Sequence, residues 1–402
     1  MQIATGWSTQ KIAGRAAREA MDEIAAAGDR HPDFVLCELT EDYDVGEVLA
    51  LLTQTWPETP VHLATTCRGV LLCRGWTSSA GRVLGLWSVF DAQGAFGTGG
   101  VPLEDRPSAA AALATRQALD QAGRAGELPS LIWISTAPGC EEQVLAGIES
   151  EVGTNVPILG GSTADNDVLG RWSQGTKAGT MSNGVVVSVF FPSVEIGYSY
   201  HNGYLPQAQS GTATEAEGRL IRSIDGRPAA EVYNEWTQGL IGPTLSEGGN
   251  IFDKTTFWPL GRVRGWLNNI PLYVLAHPER AEPDGALRLF ADVEQGETVV
   301  LMSGTRNGLI RRAGRVAESA LDSLDVLPSQ ISGALVIFCA GSMVAIEEHI
   351  DEVAQSIHQV LGDVPYLGCF TFGEQGRLVG GGNHHGNLMI SVVVFSDQEA
   401  VF

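Results

Sequence analysis

The feature that most restricts the fold of this 402-residue chain is a strand-helix-strand unit that occurs three times. FVLCELT from Phe34, LIWISTA from Leu131 and LVIFCAG from Leu335 are short apolar runs that end in small or polar residues, the pattern of buried strands. Each precedes a helical stretch (45–56, 141–152 and 344–361) and then a second strand opened by Pro60, Pro157 or Pro365. The spacing suits a parallel crossover. The second strands, VPILGGSTAD from Val156 and VPYLGCFTFGE from Val364, are closely alike, with TPVHLATTCRGV from Thr59 a more distant copy, so an internal repeat is expected. A later apolar run in each unit, from Val83, Val185 and Leu388, returns antiparallel through Gly-rich turns. Helices are expected ahead of the units at 11–27, 108–125 and 307–324.

Residues 194–304 break the pattern. They are rich in Gly, Pro and short alternating runs and read as strands and turns, with RSIDGRPAAEVY joining a strand, an Asp-Gly turn and a helix. The expected class is α/β, with mixed sheets built from repeated crossover units in two domains. Residues 1–194 hold two units, and residues 195–402 hold the strand-rich segment and the third.

Charge and composition exclude several functions. Lys+Arg number 25 against Asp+Glu 47, a net charge of −22 that argues against nucleic acid as a partner. The apolar runs are of strand length, so no membrane insertion is expected, and the N-terminus shows no export signal. A cytoplasmic location is the expectation. The 6 cysteines form neither a dense disulfide framework nor a Cys-x-x-Cys pair.

Ligands of crossover folds gather beyond the carboxyl ends of the parallel strands. Three loops fall there, 64–69, 160–166 and 368–374, rich in Gly, Ser, Thr, Asp and Asn. Small residues admit a ligand to the backbone and the polar ones direct hydrogen bonds, though the same residues also make plain turns. The candidate ligand-binding residues are Thr66, Cys67, Arg68, Ser162, Thr163, Asp165 and Asn166 in the first part, and Thr371, Glu374, His385 and Asn387 in the second. Trp76, Trp87, Trp133 and Trp172 could wall a pocket, with core packing the alternative.

The ATTCRGV, LGGSTADND, SIDGRPAAEVY, LVIFCAG, GCFTFGEQG and NHHGN stretches, in this order, resemble the FIST sensory domains, an N-terminal and a C-terminal part in tandem. Arg68 and Val70 depart from the family pattern, which has a small residue and an acid there, and Ser342-Met343 stand where an Arg is common. The resemblance implies a signal-input module for a small molecule, an amino acid or related metabolite. Output would pass to a separate protein such as a histidine kinase or a cyclic-dinucleotide enzyme. Arg68 would suit a carboxylate.

Two other readings stay open. Some members of the family are thought to bind haem and sense nitric oxide, which would need an axial histidine. His201 is the first candidate, with His62, His277, His384 and His385 behind it. An enzyme could use Cys67 or Cys369 as nucleophile, or Glu374 and Asp165 as an acid/base pair, although no established catalytic signature surrounds them.

Overall fold

A computed structural model describes residues 1–28, 30–324 and 326–400. It shows a mixed α/β protein built from the three expected units. The parallel pairs are Phe34–Leu39 with Val61–Thr65, Leu131–Thr136 with Ile158–Ser162, and Ile331–Cys339 with Tyr366–Thr371. The return strands Leu84–Phe90, Gly184–Phe191 and Met389–Glu399 run antiparallel beside the first strand of each pair. A further strand, Gln2–Ser8, Ala95–Pro102 or Val194–Asn202, pairs with each return strand and closes that edge.

The other edge holds the fact that organises the molecule. Each unit gives a β-hairpin to the sheet of another. Val70–Leu72 and Gly75–Thr77 of the first unit lie beside Tyr366–Thr371 of the third. Gln174–Thr176 and Gly179–Met181 of the second lie beside Val61–Thr65 of the first. Glu374–Arg377 and Asn383–Gly386 of the third lie beside Ile158–Ser162 of the second. Three six-stranded sheets of the same order result, linked in a ring.

Alternation along the strands sorts side chains between two layers. Leu36, Trp133 and Leu335 point inward with Trp87, Leu159, Leu367 and Phe395 into one core shared by the three sheets. Their neighbours, such as Val35, Ile132 and Val336, pack outward against two helices per unit. The first helix of each unit carries alanines where it lies almost on the edge strand. A Cβ on Gly6 would stand 2.0 Å from Ala20 O, on Gly97 2.1 Å from Ala118 O and on Gly197 2.3 Å from Ala320 O. Glycine on the strand and alanine on the helix permit the same close approach three times.

Two expectations change. Residues 344–361 do not form one helix: Ala340–Ala345 ends early, a 3-10 turn follows at Glu347–His349, and Ile350–Leu361 is a separate helix. The strand-rich region also starts later than the sequence suggested, since Val194–Asn202 is the edge strand of the third unit. The strands from Leu205 to Ser303 then form a nine-stranded antiparallel sheet with its own core around Ile221, Tyr233, Leu260 and Leu301. No helix among the described residues is long and apolar enough to cross a membrane.

Candidate functional site

The carboxyl ends of the second strands meet in a closed triangle of main-chain hydrogen bonds. Cys67 N donates to Phe370 O at 3.1 Å, Ala164 N to Thr65 O at 3.0 Å, and Phe372 N to Ser162 O at 3.1 Å. One threonine per unit ties this triangle to its hairpin: Thr66 Oγ1 donates to Gly69 O, Thr163 Oγ1 to Gln174 Oε1, and Thr371 Oγ1 to Glu374 Oε1. Thr66, Thr163 and Thr371 are therefore spent on holding the ring together.

Over this triangle the first and second units build a polar shelf. Asp165 is fully buried and accepts main-chain N–H groups from Asp167, Val168, Leu169 and Arg171, which folds the 165–171 loop around its carboxylate. The loop presents Asn166, whose Oδ1 accepts Arg68 N at 2.6 Å and whose main-chain O accepts Arg68 Nε at 3.1 Å. That grip holds Arg68 at φ 58°, a left-handed conformation that costs a non-glycine residue about 1 kcal/mol or more. Arg68 Nη1 reaches Glu347 Oε2 of the third unit at 2.8 Å. Nη2 has no protein partner among the described residues.

Arg68 and Asn166 line a groove of about 500 Å³ with Trp76, Ser78, Asp167 and Glu347. All three units contribute. Trp76 comes from the hairpin given to the third sheet, and its main-chain N donates to Asp351 Oδ1 at 3.3 Å. Ser78 Oγ donates to Arg68 O at 2.6 Å. The groove thus combines a partly free guanidinium, an amide, an indole and two carboxylates at its rim.

The structure separates the sequence candidates. Arg68 and Asn166 face the groove. Thr66, Cys67, Thr163, Asp165 and Thr371 form the framework beneath it. Glu374 is buried in the third unit, where Oε2 accepts Met389 N at 2.9 Å. It pairs with Gly161 as Gln174 pairs with the corresponding Ala64, and Gln174 likewise ties the return strand by donating to Gly184 O. Glu374 is thus a staple, and burial raises its pKa to about 8. Asn387 Oδ1 accepts His277 N at 3.0 Å, which anchors the strand-rich region.

Ser162 and His385 belong to a second cluster. Ser162 Oγ donates to Glu141 Oε1 at 2.7 Å, and Glu141 also accepts Gly139 N and the Arg219 guanidinium. His385 sits between Gln375 Nε2 at 3.1 Å and Phe290 O at 3.3 Å, with Arg262 Nη2 on its main-chain O. Burial raises the Glu141 pKa, but Arg219, His385 and Ser162 lower it further, to about 2 overall. The cluster binds the second unit to the strand-rich sheet. Glu141, Glu142 and His385 are close enough to hold a metal ion, as are Glu41, Asp165 and Asp167. In both groups an arginine already occupies the carboxylates, Arg219 in the first and Arg171 in the second.

His201, His62 and His277 do not fit an axial haem ligand. His201 shares a strand face with Gly197, which packs on the Arg306–Asp322 helix at Ala320. Burial and the nearby Arg312 charge lower its pKa to about 4. An iron porphyrin there would have to displace the helix. His62 is fully buried, with both ring nitrogens bonded to Ser188 Oγ and Ser135 Oγ, and His277 is bonded to Thr255 and Phe252 O. Nor are the thiols poised as nucleophiles. Burial drives Cys67 up to about 12 despite the neighbouring Arg68 charge, and Cys369 rises too, by burial and by Glu38.

Sequence reasoning missed Glu347 and Ser78 as groove residues and Glu141 and Arg219 in the second cluster. Of the four tryptophans, Trp76 lines the groove, Trp87 and Trp133 are core, and Trp172 packs edge-on against Phe372.

Comparison with known proteins finds the FIST N domain over residues 33–227 and the FIST C domain over residues 229–377. An uncharacterized protein of Methanocaldococcus jannaschii is 26% identical over 170 residues, 40% of this chain and 32% of that protein. An uncharacterized protein of Mycobacterium bovis is 26% identical over 224 residues, 53% of this chain and 54% of its own length. The chain thus spans between a third and about half of the curated relatives it matches. Among solved structures, a cyanuric acid hydrolase from A. caulinodans aligns over 98% of this chain and 99% of that one, at 9% identity and a TM-score of 0.41.

Proposed function

The chain belongs to the FIST family, whose domains are sensory modules that take small ligands and work with signalling output domains, and from that premise we propose that the Arg68 groove is its ligand site. The ligand is an amino acid or a related small carboxylate. The observation that carries this reading is the meeting of Arg68, Asn166 and Glu347, one from each unit, on one groove of about 500 Å³. A guanidinium held in a fixed orientation suits a carboxylate, since its N–H groups match the two oxygens. Glu347 at the rim, once off Arg68, supplies oxygen acceptors for an ammonium group, and Trp76 supplies an apolar wall. Such a ligand would bridge three parts of the chain and stabilise one arrangement of them, which is how a sensor can act on a partner. A histidine kinase or a cyclic-dinucleotide enzyme is the class of partner proposed.

A thermal-shift screen of the amino acids and small carboxylates tests the reading. A ligand that raises the midpoint of the natural protein and not that of Arg68→Gln supports it. Equal stabilisation of both proteins would refute it.

A further inference from the structure

Glu347 holds the position that a bound carboxylate would need. Its Oε2 lies 2.8 Å from Arg68 Nη1, while Arg68 Nε is committed to Asn166 O. The carboxylate arrives from a different unit, 279 residues away in sequence, on the short turn Glu347–His349 that joins two helices. Arg68 and Glu347 side chains are 34% and 40% exposed, so the pair is wet and readily exchanged. The next helix begins at Ile350 and carries Asp351, which accepts Trp76 N at 3.3 Å. The turn is therefore attached to the groove through Arg68, and the helix that follows it through Trp76.

We propose that Glu347 is a built-in competitor for the carboxylate of the ligand: it occupies Arg68 until ligand binding displaces it, which frees the turn at Glu347–His349 from Arg68 while Asp351 keeps the next helix on Trp76. The inference rests on the groove being the ligand site. It adds a consequence that simple binding lacks, because removal of a groove side chain should tighten binding. It also gives the ligand a direct mechanical output, since the released turn leads into the Ile350–Leu361 helix on the outer face of the third unit.

Succinate, a dicarboxylate without an ammonium group, separates competition from ammonium binding. Calorimetric titration of succinate into the natural chain, Glu347→Gln, Glu347→Ala and Arg68→Gln is the test, with circular dichroism melts to show that each variant is folded. An exposed ion pair of this kind is worth enough to predict about threefold tighter binding in both Glu347 variants. The gain should shrink in high salt, and binding should be lost in Arg68→Gln. Binding that depends on Arg68 but is unchanged or weaker without Glu347 overturns the competition and leaves the site standing. Succinate that binds Arg68→Gln as well as the natural chain, or that binds neither the natural chain nor the Glu347 variants, overturns the site and the competition together.

Discussion

His62 gives the shared core a specific weakness to acid. It points inward at the place that Leu159 and Leu367 hold in the other two sheets, and its ring nitrogens bond Ser188 Oγ at 2.7 Å and Ser135 Oγ at 2.9 Å. Burial lowers its pKa from 6.5 to about 3. In the unfolded chain the imidazole takes a proton near its ordinary value, whereas in the folded chain it stays neutral. Its contribution is therefore fully present above pH 6.5 and is lost progressively as the pH falls towards the folded value. Between pH 7 and pH 5 the loss amounts to about 2 kcal/mol. Substituting the leucine of the other sheets, His62→Leu, removes this term and strands two serine hydroxyls, at a cost of about 1–3 kcal/mol at neutral pH. Urea unfolding of both proteins at a series of pH values isolates the effect, because the other titrating groups are common to both. The natural chain should lead at pH 7, and its lead should shrink by about 2 kcal/mol by pH 5. A gap that stays constant across that range would show that His62 is neither so buried nor so neutral, and the argument for the shared core would fail with it.

Other substitutions probe the junctions. Arg219→Ala leaves Glu141 buried without its counter-charge and should cost about 3–5 kcal/mol, read as a large drop in melting temperature. Glu374→Gln should be nearly neutral at pH 4, where the carboxyl is protonated in the folded and unfolded chains alike, and should stabilise by about 2–3 kcal/mol at pH 6–7, with Gln174 already serving the corresponding hairpin. The natural Glu374 should lose stability as pH rises from its ordinary value of 4.5 towards 8, because the unfolded chain releases that proton first, and the Gln variant should lack this decline. Gly97→Val places a Cβ where Ala118 O lies 2.1 Å away and should destabilise by about 1–3 kcal/mol or more, measured by urea unfolding. Protein produced with iron and a haem precursor should show no Soret band, because His201 faces a packed helix.

The strands of the three units were legible because a buried strand is written in consecutive residues: FVLCEL, LIWIST and LVIFC are apolar whatever lies beside them. The exchange of hairpins was not legible. Val70–Leu72 carries no mark that its partner is Leu367–Cys369 rather than its own sheet, since main-chain pairing is indifferent to the side chains that would identify it. The same blindness divided the site. Arg68 and Asn166 stood out as polar residues after strands, but Glu347 lies beyond a helix that the sequence pattern extended through it. Asp165, Thr163 and Glu374 drew attention for the polarity they use on their own backbone and hairpins, because an acceptor spent on N–H groups looks the same in sequence as one offered to a ligand.

The most direct test of the central claim is a crystal structure of the protein with the small carboxylate or amino acid that stabilises it most. The account predicts density for the ligand in the groove between Trp76 and Asn166, with its carboxylate on Arg68. An empty groove with the ligand bound elsewhere would contradict it.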